Sequence, residues 1–290
     1  MRISVNEEYF RIRPDGTRRD QRGNIKMLSE AGFEAIDFGL GALKKGSGIA
    51  TCDDYKEKAA EMREFCESVG ISVNQTHAPF YEGVPMPEGF AETLPKVVET
   101  SAILGADCVV VHADTWYEGP SAEFDFDRAL NAIYEVYAPS VEVAERVGVK
   151  IAMETLFSWN PKWHRFCSRR EELDAIVSKF GTDAVGICFD TGHWNVSYCG
   201  DGMFNEIKHL KNKIIATHIH DNKAKLDDHM LPFTGVTNWD RFCSTMKHIG
   251  YEGDVTLELV YGAYPDELVF DAMVFARRIA EQLRSGIKGE

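Results

Sequence analysis

An uninterrupted alternation of short apolar runs and longer amphipathic segments, repeated eight times, constrains this chain more than any other feature. Strands are predicted near 2–6, 33–38, 71–77, 107–112, 149–154, 184–190, 214–220 and 254–259. Helices are predicted near 20–31, 53–69, 91–104, 124–147, 169–180, 202–210, 238–249 and 265–284, most of them ending at a glycine such as Gly32, Gly70, Gly105, Gly148, Gly181 or Gly250. Strand-then-helix units return the chain to the same sheet edge by a right-handed crossover, which builds parallel sheets. Eight of them predict an α/β fold closed into a single (β/α)8 TIM barrel. No linker rich in proline, glycine or serine divides residues 1–290, so one domain is expected. The competing architecture is an open doubly wound sheet, but no G-x-G-x-x-G follows the first strand and no P-loop is present. No nucleotide cofactor is expected.

The strands themselves support closure. Residues two apart share a face, and Ala152, Gly186, Cys188, Ala216 and Thr256 lie on the face that ends in a charged residue, while Ile187, Phe189, Leu257 and Leu259 lie on the other. Bulk therefore faces the helices and chemistry faces in. Four successive runs end in metal-type ligands: Glu154, Asp190, His218 and Glu258. His77, His112 and His193 occupy further strand ends, Asp227 and His229 follow the seventh strand, and His220 neighbours His218. A lone buried glutamate or histidine more often joins a hydrogen-bonded network than a metal, but so many at one end of a barrel point to an active site.

Composition excludes other classes. A formal charge of -14 argues against an extended nucleic-acid footprint. The small basic clusters Arg18, Arg19, Arg22 and Arg165, Arg169, Arg170 read as solvated loop or helix-start charges. Seven cysteines without a C-x-x-C pair suit neither a disulfide framework nor a thiolate zinc site. No signal peptide or membrane-spanning run is apparent, so a cytoplasmic enzyme with no membrane partner is expected. His164, His209 and His248 are expected to be solvated, and Asp37 to support the site from behind its ligands.

Three segments, Phe189-Asp190-Thr191-Gly192-His193, His218-Ile219-His220-Asp221 and Asp227-Asp228-His229-Met230-Leu231-Pro232, resemble recurring pieces of the xylose-isomerase-like barrels. That superfamily includes sugar isomerases, sugar epimerases and the endonuclease IV type of abasic-site endonuclease. The resemblance covers nearly the whole chain. It implies one divalent metal, manganese, cobalt, magnesium or zinc, on Glu154, Asp190, His218 and Glu258, with His218 preferred over His220 because it precedes Asp221 by three positions. It also implies that Glu154 and Glu258 act as acid/base groups on a metal-stabilised enediolate, with His193 on a substrate oxygen.

The expected function is thus isomerisation or epimerisation of a ketose or sugar phosphate. A second reading recruits His77, His112, Asp227 and His229 as further ligands of a multi-zinc phosphodiester hydrolase, and a third places a dehydration or elimination on the same metal. The loop after Glu154 is aromatic where the endonuclease branch has small residues. Phe80, Trp116, Trp159 and Trp194 are the candidates to wall a pocket for a small carbohydrate. After Pro232 the chain has Phe233 before Gly235 instead of two closely spaced glycines, which weakens a phosphate role for that turn. Barrels of this kind often pair as homo-oligomers.

Overall fold

The computed structural model describes all residues except 8–12, 14, 82–85, 114–115, 119–123, 159–162, 199–200 and 261–263, and the side chains of 116–118 and 163 also lie outside the description. In chain order the strands are β1 (Ile3–Asn6), β2 (Ala35–Gly39), β3 (Ser72–His77), β4 (Cys108–Val111), β5 (Trp116–Glu118), β6 (Lys150–Glu154), β7 (Trp163–Arg165), β8 (Val185–Asp190), β9 (Ile214–His218) and β10 (Val255–Leu257). The helices are α1 (Gln21–Glu30), α2 (Tyr55–Ser68), α3 (Phe90–Leu104), α4 (Phe126–Val147), α5 (Arg170–Phe180), α6 (Thr191–Tyr198), α7 (Gly202–Leu210), α8 (Trp239–His248) and α9 (Asp266–Lys288).

Eight strands run parallel in the order β10-β1-β2-β3-β4-β6-β8-β9. The ring is completed by a parallel bridge between Ile219 and Leu257, where Ile219 N donates to the Thr256 carbonyl and Glu258 N to the Ile219 carbonyl. This is the closed α/β barrel expected from eight strand–helix units. The short β5 and β7 form a separate antiparallel ribbon above the barrel. Neither they nor α6 were predicted: three-residue strands carry no readable period, and α6 starts directly at the end of β8.

Local chemistry explains the main helix boundaries. Asp20, Asp125 and Asn238 precede α1, α4 and α8, and each accepts a hydrogen bond from the backbone N–H three residues on, of Gly23, Arg128 and Arg241. Left-handed Gly105, Gly148 and Gly181 close α3, α4 and α5 as predicted. Between barrel and helices, Ile187, Phe189, Leu257 and Leu259 are fully buried, each such side chain contributing about 1.5–3 kcal/mol. Inside the ring a smaller cluster holds Cys108, Val110, Ala152, Cys188 and Ala216. The inward face is therefore made of small residues, as the alternation required.

One irregularity positions the chemistry. Between β8 and β9 the register shifts so that Ile187 pairs with Ile214 but Cys188 with Ala216, leaving Ile215 as an extra residue. Gly186 makes room for it, since a Cβ there would meet the Ile215 side chain at 2.8 Å. Beyond the shift, Asp190 is brought level with His218. Among the described residues, no helix is long and apolar enough to cross a membrane.

Candidate metal centre and active site

Polar side chains gather at or next to the carboxyl ends of the eight barrel strands. Asn6, His77, Glu154, Asp190 and His218 close β1, β3, β6, β8 and β9, while His112 and Glu258 immediately follow β4 and β10 and Asp37 lies in β2. Glu154, Asp190, His218 and Glu258 are buried and each offers a ligand atom within 4.8 Å of the others. Nδ1 of His218 sits 3.4 Å from Oε1 of Glu154, 3.5 Å from Oε2 of Glu258 and 4.0 Å from Oδ2 of Asp190.

His218 shows that this cluster fits a cation. Its Nε2 donates to Oδ2 of Asp37 at 2.9 Å, which leaves Nδ1 as the inward nitrogen, and that buried nitrogen meets no well-formed hydrogen-bond partner among the described residues. Asp37, itself held by Gln75, thus orients the His218 ring from behind. Three carboxylates converging on one imidazole nitrogen require positive charge between them. In the metal-free protein a proton supplies it: burial opposes charging His218, but Cys188, Glu258 and Glu154 outweigh burial and hold the imidazole well above its usual range. One nitrogen and three carboxylates are ligand types that manganese, cobalt, magnesium and zinc all accept.

The surrounding residues hold this group in place. Asp190 caps the start of α6 by accepting from the His193 backbone N–H at 2.6 Å, and its oxygens also receive His220 Nε2 at 3.0 and 3.1 Å. His220 can approach because residue 192 is glycine; a Cβ there would lie 1.9 Å from the imidazole ring. His220 is thus placed against Asp190, while His218 faces all three carboxylates. Asp221 organises the loop after β9, accepting from the backbones of Asn222, Gly235 and Thr237 and from the Trp239 indole. In that loop Phe233 and His229 adopt left-handed backbone, with φ of 73° and 46°.

Above Glu154, Asp190, His218 and Glu258 is a cavity of about 250 Å³, just below the usual range for ligand sites, roughly 300–1,000 Å³. It is lined by His77, His112, His193 and His229, by Glu154, Asp227 and Glu258, and by Phe80, Phe157 and Arg165. Asp227 accepts from His229 at 3.0 Å and His193 at 3.2 Å, and these two imidazoles overcome burial to hold its carboxyl below the ordinary carboxylate range. In return, burial opposes but carboxylates outweigh it at His193, raised well above its usual value by Asp190 and Asp227, and at His229, raised to about 9 by Glu258 and Asp227. His77, beside Glu154, is likewise raised to about 9 against burial.

The structure therefore brings together His77, His112, Glu154, Asp190, His193, His218, Asp227, His229 and Glu258. Among the aromatic candidates, only Phe80 is placed at the cavity, its ring 4.5 Å from that of His112. Trp194 is not: it is fully buried on α6, packed against Phe189 and Tyr198 in the layer outside the barrel. Trp159 and the Trp116 side chain lie outside the described residues. Three readings of solvated side chains need correction, and the first is Arg19, which is buried and paired with Asp266. His164 is buried and bonded to Glu172 at 2.5 Å, whereas His209 and His248 are exposed as expected. Arg165 is no solvated loop charge but is 4% exposed in the cavity wall, a site residue with no local signal because the β5–β7 ribbon that carries it is set by tertiary contact, whereas Phe157, in the same wall, belongs to the aromatic loop after Glu154.

Comparison with known proteins agrees with this architecture. Residues 25–279 match the family model of the xylose isomerase-like TIM barrel. The chain is 30% identical to the uncharacterized protein y4fM of Sinorhizobium fredii, over 84% of this chain and 82% of that one. It is also 30% identical to an inosose isomerase of Bacillus velezensis, over 45% of this chain and 46% of that one. Its fold is similar to that of a D-psicose 3-epimerase solved in the presence of D-fructose, with a TM-score of 0.76, 15% identity and coverage of 99% of both chains. The chain belongs to the xylose isomerase-like TIM barrel family.

Proposed function

We propose that this chain is a divalent-metal-dependent isomerase or epimerase of a small sugar or polyol ketone. The observation that carries the reading is the convergence of Glu154, Asp190, His218 and Glu258 on one point beneath a cavity of monosaccharide size. The inosose isomerase relative and the ketose epimerase with the same fold support it by their substrates. A divalent ion held there supplies the charge that polarises a ketone and its neighbouring hydroxyl. Glu154 and Glu258 line the cavity as carboxylates able to take a proton from the carbon beside that ketone and to return it. His193 and Asp227 offer polar contacts for a substrate hydroxyl, and Phe80 and Phe157 give one wall an apolar face.

A second reading has its own observation: His77, His112 and Glu154 form another group with ligand atoms within 4.8 Å of one another, as a multi-zinc phosphodiester hydrolase would need. The net charge of -14 and the small cavity disfavour a DNA substrate. The test is exchange of substrate C–H with solvent deuterium across a panel of ketoses and inososes, after chelation and restoration with manganese, cobalt, magnesium or zinc. Metal-dependent exchange with at least one substrate is expected. Nicking of abasic DNA with no exchange anywhere on the panel would reverse the assignment.

A further inference from the structure

Four histidines around the cavity are set in the same way. His77 and His193 donate from Nδ1 to the carbonyls of Ala78 and Thr155, both at 2.8 Å, His229 from Nδ1 to the Glu258 carbonyl at 3.2 Å, and His218 from Nε2 to Asp37 at 2.9 Å. In each ring the outer nitrogen carries a proton and the other nitrogen is turned towards the carboxylates, the arrangement that prepares a histidine as a ligand.

His112 is reversed. Its Nδ1 lies 2.9 Å from Nη2 of Arg165, and a guanidinium only donates. Nδ1 is therefore an acceptor, and the ring proton sits on Nε2, which donates to Oε2 of Glu154 at 3.0 Å. Arg165 comes from β7, whose pairing with β5 ties the loop after the His112 strand to the loop after the Glu154 strand. The same ribbon that places the guanidinium thus spans the two residues it affects.

We propose that Arg165 is a positioning residue that fixes His112 as a hydrogen-bond donor to Glu154 and so keeps the His77, His112, Glu154 corner from taking a second metal ion. By distance alone those three residues suit an ion. To ligate through Nε2 while Nδ1 accepts from Arg165, however, His112 must surrender its only ring proton, and the incoming cation must sit near a permanent guanidinium charge. The corner consequently serves to hold Glu154. The metal part of this inference rests on the proposed reading of the site; the tautomer of His112 does not.

The experiment separates the two. In metal-free protein labelled with 15N-histidine, the His112 ring, identified by its loss in His112→Gln, should show an unprotonated Nδ1 and a protonated Nε2; a proton on Nδ1 overturns the proposal. Zinc bound per chain is then counted after equilibrium dialysis. Arg165→Met should bind about one more zinc ion than wild type, His112→Gln in that background should abolish the gain, and Arg165→Lys, whose ammonium still donates to Nδ1, should keep the wild-type count. Equal counts in wild type and Arg165→Met, or loss of an ion from wild type by His112→Gln alone, overturn it. A wild type that binds no ion overturns the metal reading and the exclusion of a second ion with it, and the nitrogen signals alone then decide whether Arg165 sets the tautomer.

Discussion

Glu154 and Glu258 lie at nearly equal distances from Nδ1 of His218, 3.4 and 3.5 Å, yet they are held very differently. Oε2 of Glu154 accepts from His112 and His77 at 3.0 and 3.3 Å, and Oε1 lies 3.2 Å from Nδ1 of His193. Burial disfavours its charge, but His112 and His218 more than compensate and keep the carboxyl well below its ordinary range. Among the described residues, the Glu258 side chain accepts no hydrogen bond, and its nearest imidazole nitrogens, on His218 and His229, are 3.5 and 3.6 Å away. A carboxylate whose lone pairs are already occupied is costly to turn and a poor proton acceptor. On the proposed reading, Glu154 is therefore the more firmly held metal ligand of the acid/base pair, and Glu258 the freer of the two to move with the proton.

The largest expected effect tests that division directly. Glu258→Gln should lower substrate C–H exchange by about 10²–10⁴-fold while the protein still retains metal through dialysis. Glu154→Gln should instead lose the metal, because the amide cannot accept from every histidine that surrounds it. Elemental analysis of the two variants, paired with their exchange rates, would break the comparison if both lost metal equally.

A smaller effect is expected at the point both carboxylates face. Asp37→Asn leaves an oxygen to accept from His218 Nε2 but removes the charge behind it. Metal affinity should fall about 10–100-fold, measured by competition with a chelator, with little change in exchange at saturating metal. An unaltered affinity would mean that His218 is oriented by packing alone.

The difference between the two glutamates was not legible in the sequence, although the positions of both were. Strand ends could be read because Val185–Asp190 and its counterparts are short apolar runs bounded by glycine-ended helices, and inward-facing Ala152, Cys188 and Ala216 followed from a period of two. What surrounds each carboxylate depends on residues distant in sequence: His77 and His112 are 77 and 42 positions from Glu154. Arg165 was misread for the same reason, since a three-residue strand paired across two loops has no local signature. Trp194 was misplaced because an aromatic residue just past a strand end looks the same in sequence whether it turns to the cavity or, as here, behind β8.

The metal-free site also predicts a pH dependence. His218 is held well above its usual range, so its inward nitrogen is protonated at neutral pH before an ion arrives. An ion taking that nitrogen must displace the proton. Apparent affinity should thus rise with pH through the neutral range, by about tenfold per unit for one proton displaced, and level off above the raised value. Calorimetric titration in buffers of different ionisation enthalpy counts the released protons, and a pH-independent affinity would show that the ion does not use His218.

The smallest expected effect lies on the better-supported side. His77→Gln removes a ring whose Nδ1 is committed to the Ala78 carbonyl, but a glutamine amide can still donate to Oε2 of Glu154, which also keeps His112. The loss should be about 0.5–1.5 kcal/mol, or roughly two- to tenfold in metal affinity, with exchange at saturating metal nearly unchanged. Near-total loss of both would mean that His77 binds a metal ion of its own. The anchor around Glu154 would then be half of a multi-metal site, and the hydrolase reading would displace the isomerase.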